Sequence, residues 1–97
     1  MARIYFEDFR LLVIRQAREI EAAVPESHTP EWFLVRYLRR IIKAAEEPAS
    51  PGRVEGSMRS LIRFYVDNID AKSHMGERCT FIYEEYRKTL RENQEKD

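Results

Sequence analysis

Apolar residues recur along this chain at spacings of three and four, the period of an α-helix, and nowhere alternate singly as a half-buried strand requires. Proline and glycine break the pattern at Pro25 to Pro30 and at Pro48 to Gly52, and a weaker break falls at Asn68 to Ser73. Four helices are therefore predicted, over about 4–24, 30–47, 51–69 and 74–93. The second opens on the strongest signal, with Thr29 as N-cap, Pro30 in the first helical position and Glu31 beside the positive end of the helix dipole. Ser50 and Pro51 repeat the device for the third, although Gly56 is expected to delay its regular part to Ser57, and Asp70 or Ser73 caps the fourth. Short connections between helices of matched length favour antiparallel neighbours. The predicted fold is a single all-α domain, an antiparallel up-down-up-down four-helix bundle.

Placing residues at about 100° intervals assigns the buried faces. Helix 1 turns Tyr5, Phe9, Leu12, Val13, Ala17 and Ile20 inward, and Pro25 ends it. Helix 2 carries the widest apolar arc, about 200° by the same construction, from Phe33 to Val35 with Leu38 and Ile41 near its centre. Helix 3 aligns Val54, Met58, Leu61, Ile62, Tyr65 and Ile69; helix 4 aligns Met75, Cys79, Ile82, Tyr83, Tyr86 and Leu90. The last stretch, Lys88 to Asp97, is so polar that fraying is expected.

Four apolar residues miss these seams: Leu11 and Ile14 on helix 1, Phe64 on helix 3 and Phe81 on helix 4. A bundle closed on its seams brings them to the surface, where apolar area marks an interface with a partner or a second copy; a bundle distorted from that arrangement buries them internally instead. Helix 2 offers another candidate on its outer face. Trp32, Arg36, Arg39, Arg40 and Lys43 share an arc of about 100°, suited to stacking on a partner side chain or holding a phosphate backbone. The plainer expectation there is a Trp folded over a neighbouring loop and cations paired with Glu46, Glu47 or another helix.

Composition narrows the possibilities. At 97 residues the chain has room for one core, and its 43 % apolar and 35 % charged content is that of a globular protein. The 17 basic and 17 acidic residues cancel and are spread evenly, so no segment is a basic arm or an acidic tail. This weakens any account built on long-range attraction to nucleic acid. No uncharged run exceeds five residues, which rules out a membrane span, and no secretion signal is apparent at the N-terminus, so a cytoplasmic location is expected.

Reactive groups are few. The single thiol, Cys79, reads as a small buried hydrophobe. His74, Glu77 and Cys79 lie close in sequence, but Glu77 and Cys79 diverge on a helix. Pro25 and Ala71 stand three residues before the two histidines where a di-iron bundle needs Glu. The stretch Gly52 to Ser57 leads into a helix start, yet it lacks the Lys-Ser/Thr ending of a P-loop. No metal and no cofactor is expected. The leading expectation is a non-enzymatic interaction protein of bacterial or phage type that binds another protein or itself, as a homodimer. Nucleic-acid binding through the helix 2 cations comes second, and an enzyme or small-ligand binder with a pocket between subunits third.

Overall fold

Thr29 begins its helix as expected: its hydroxyl oxygen accepts from the Trp32 amide at 3.3 Å and its hydroxyl donates to the Glu26 carbonyl at 2.7 Å. The computed structural model describes residues 4–95, with side chains through Asn93. It contains α1 (Glu7–Glu21), α2 (Pro30–Ala44), α3 (Pro51–Asn68) and α4 (His74–Glu95), with no strand among the described residues. The predicted antiparallel bundle is the fold. Its direction is fixed by partners: Arg78 near the start of α4 reaches Gln16 and Glu19 late in α1, while Asn93 near the end of α4 meets Tyr5. Phe33 and Tyr37, early in α2, meet Phe64 late in α3.

The remaining helix starts differ in mechanism. Ser50 is extended, but its hydroxyl makes no cap bond; its carbonyl accepts from the amides of Arg53 and Val54 at 3.0 and 3.1 Å instead. Regular helix begins at Pro51, so Gly56 causes no delay. At α4 the cap is Ser73, whose hydroxyl oxygen accepts from the Gly76 amide at 3.0 Å; the Asp70 carboxylate serves the Lys72 amide in the preceding turn.

α1 is shorter than its apolar period at both ends. Phe6 takes the N-cap position and is fully buried, whereas Tyr5, expected on the inner face, is 58 % exposed. Residues 4–6 are not helical, so the 100° progression does not govern where their side chains point. At the other end the helix stops at Glu21, and Val24, just before Pro25, adopts a φ of 48°, a strained conformation for a β-branched residue.

The expected fraying of the C-terminal stretch is corrected: α4 stays helical to Glu95, and Leu90 packs against the core. Lys96 and Asp97 lie outside the described residues. Asn93 supplies the reason. Its side chain is buried, with Oδ1 accepting from the Tyr5 amide at 2.9 Å and Nδ2 donating to the carbonyls of Thr89 at 2.7 Å and Tyr5 at 3.4 Å.

The core runs through all four helices, from Phe9, Val13, Ala17 and Ile20 of α1 and Leu34, Leu38 and Ile41 of α2 to Val54, Met58 and Leu61 of α3 and Cys79, Ile82 and Tyr86 of α4. α2 lies in close backbone approach to both α1 and α3. α4 stands further from its two neighbours, which leaves the α3/α4 side of the bundle more open.

Candidate functional site

Spacing along α2 builds a layered surface from the predicted basic and aromatic residues. Trp32 stacks on His28 of the preceding loop with ring centres 4.8 Å apart, and Arg36, one turn on, lies 4.8 Å above the Trp32 ring. Arg40 lies 5.2 Å over Tyr37, which stacks on Phe64 at 4.9 Å, and Phe33 fills the angle between Trp32 and Phe64. Each such exposed cation over a ring contributes about 0.5–1 kcal/mol, but the larger effect is to hold two guanidinium planes in place. Arg39 belongs elsewhere: it pairs with Glu21 of α1 at 2.7 Å. That pair is the expected one between this face and another helix. Lys43 and Arg40 instead line a groove of about 360 Å³ between α2 and α3, together with Ala44, Arg53, Gly56, Ser57 and Ser60.

Phe64 is a correction. It was expected at the surface, and it is buried between the two helices. A helix with neighbours on two sides needs a wider apolar arc than one seam, and the Phe64 ring covers the flank that faces α2.

The other off-seam residues keep contact with water, Leu11 and Phe81 more than Ile14. Leu11, 51 % exposed, and the half-buried Ile14 share a shallow depression on α1 with Arg15, Arg18, Glu19 and Ala22. Phe81, 41 % exposed, lies on α4 outside that depression.

A more continuous apolar feature runs between α3 and α4. Leu61, Ile62, Tyr65, Val66, Cys79, Thr80 and Tyr83 line a groove of about 250 Å³ without a charged residue among them. Val66 is 70 % exposed and Tyr83 37 %. Tyr83 was expected on the inner seam and reaches the rim instead, beneath Arg87. Sequence reasoning passed over Val66, although the spacing Ile62, Val66, Ile69 continues the helix 3 seam by i, i+4 and i+7 and carries the signal.

Little here is arranged for covalent chemistry. Burial pushes the Cys79 thiol up to about 11, against a smaller opposing pull from the Arg78 charge, so it is protonated at neutral pH. Alkylation at pH 8 should be blocked in the folded protein and become rapid in denaturant; fast modification of the native state would show the site to be open. Because the folded thiol titrates higher than the ordinary value of 9.0, the linked stability is complete below that value. It is lost as pH climbs from there toward 11. His28 shares a hydrogen bond with Ser27 at 2.9 Å and is committed to Trp32, while His74 is the exposed first residue of α4. Among the described residues no group of three His, Cys, Asp or Glu could hold a metal ion, and no helix is long and apolar enough to cross a membrane. The chain matches no protein-family model, no curated protein and no solved structure.

Proposed function

We propose that the chain is a non-enzymatic, cytoplasmic interaction module that works by protein–protein binding, with the α3/α4 groove as its working surface and a second copy of itself as the occupant. One observation carries this reading: the groove is apolar, open and rimmed by exposed Val66 and Tyr83. Apolar area of this kind is costly to leave in water, at roughly 25 cal/mol per Å². Val66 and Tyr83 supply projections and the floor around Leu61 and Cys79 a recess, so one copy can fit another across a two-fold axis.

Charge favours the second copy over a strongly charged partner. The groove has no ionised group in its lining, and with 17 residues of each sign two copies meet without net repulsion. The broad side of the molecule, 43 by 23 Å, has room for the roughly 800 Å² per partner that a stable interface uses.

The test is solution mass by light scattering at two concentrations, for the native chain and for a Val66→Asp, Tyr83→Ser double variant. Both positions are exposed, so circular dichroism should be unchanged. The expected result is a mass of twice 11.6 kDa that falls to 11.6 kDa in the variant. A native monomer at both concentrations, or a dimer that survives the double change, overturns the reading.

A further inference from the structure

The turn from α2 to α3 brings together two parts of the sequence that carry no common motif: Arg40 and Lys43, at the end of one helix, and the stretch Gly52 to Ser57 that opens the next. Arg40, Lys43 and Arg53 line the same groove, and no carboxylate lines it. Five cations are neutralised locally, Arg10 with Glu7, Arg39 with Glu21, Arg59 with Glu55, Arg78 with Glu19 and Lys88 with Glu92, and others such as Arg15, Arg36 and Arg63 stand singly in water. What sets this groove apart is that three cations share one lining with no carboxylate among them. Among the described residues, Arg40, Lys43 and Arg53 enter no ion pair. The negative end of α2 and the positive start of α3 meet here and offset each other, so side-chain charge sets the local potential.

We infer that this groove binds a phosphate group. Arg40 is held over Tyr37, which leaves its fork of donors oriented at low entropic cost. Lys43 adds a compact charge, Arg53 a second fork, and Ser57 a hydroxyl. A phosphate with about −1.5 to −2 charge and three acceptor oxygens engages all of these at once, whereas one fork already satisfies a carboxylate. Gly56 keeps the groove accessible: a Cβ built there meets no atom within 4 Å.

That open space provides the test. Amide spectra of the ¹⁵N-labelled protein are recorded during titration with pyrophosphate and, separately, with a six-nucleotide thymidine oligomer. Saturable shifts confined to residues 40–44 and 53–60 are expected with pyrophosphate. An oligomer that binds more tightly, with shifts extending to Trp32, assigns the phosphate to a nucleic-acid backbone; equal or weaker oligomer binding assigns it to a small free phosphate. Gly56→Glu, which places a carboxylate in the groove, should weaken either probe at least tenfold, while Gly56→Ala and the equal charge change Arg63→Gln on α3 should stay within twofold. No saturable shift with either probe overturns the inference, and so does a loss in Arg63→Gln as large as that in Gly56→Glu.

Discussion

Truncation of Leu38 to Ala is expected to lower the unfolding free energy by about 2–5 kcal/mol. Leu38 is fully buried at the middle of α2, the helix in closest approach to two neighbours, so walls on both sides resist collapse into the space left behind. A chain of this length has a total stability of about 5–10 kcal/mol, which makes the loss a large fraction of the whole. Urea unfolding followed by circular dichroism measures it directly. A loss under about 1 kcal/mol, the size expected for an exposed position, would remove α2 from the centre of the core.

Gly76→Ala is the second large effect, and its sign opposes helix propensity. Alanine normally stabilises a helix by about 1 kcal/mol over glycine, and Gly76 lies within α4. A Cβ at this position, however, would collide with the Asp70 carbonyl oxygen and lie 2.7 Å from that of Ala71. These are backbone atoms and cannot rotate aside. The turn would have to lift, pulling on the Ser73 amide bond to the Asp70 carbonyl at 3.0 Å and on the Ser73 cap of α4. Destabilisation of about 1–3 kcal/mol is expected, as for other forced overpacking, and thermal unfolding of the variant beside Gly56→Ala isolates it. Gly56 has open space at its Cβ and should gain stability from the same substitution. An equal gain at both positions would mean that the turn yields freely.

These two cases divide what was legible in the sequence from what was not. The spacing of Leu34, Leu38 and Ile41 identifies a buried helical face because the relation between those residues is local, set by 3.6 residues per turn. Thr29 and Pro30 mark a helix start for the same reason. Phe64 and Tyr83 exchanged expected environments, since a seam drawn on one helix cannot tell how many neighbours that helix will have or how closely each approaches. Nothing in the residues around Gly76 asks for glycine; only the path of the turn over it makes a side chain impossible. Asn93 gave no local sign of its burial, because Tyr5, the partner that ties it across the bundle, lies 88 residues away. The candidate surfaces follow the same division. Trp32, Arg36, Arg40 and Lys43 were grouped from spacing alone, while Arg53 joins Arg40 and Lys43 only through the packing of α3 on α2.

The Asn93 amide has a consequence for the order in which the helices are joined. By tying Tyr5 to the far end of α4 it brings the two ends of the described chain side by side, so that the molecule is nearly a closed ring of four antiparallel helices. A ring can be cut and sealed anew: linking the present ends through a short flexible peptide and opening the exposed connection around Glu26 and Ser27 would keep every helix in its place. The architecture is then a property of which helices are neighbours around the ring, and the starting point of the chain is arbitrary.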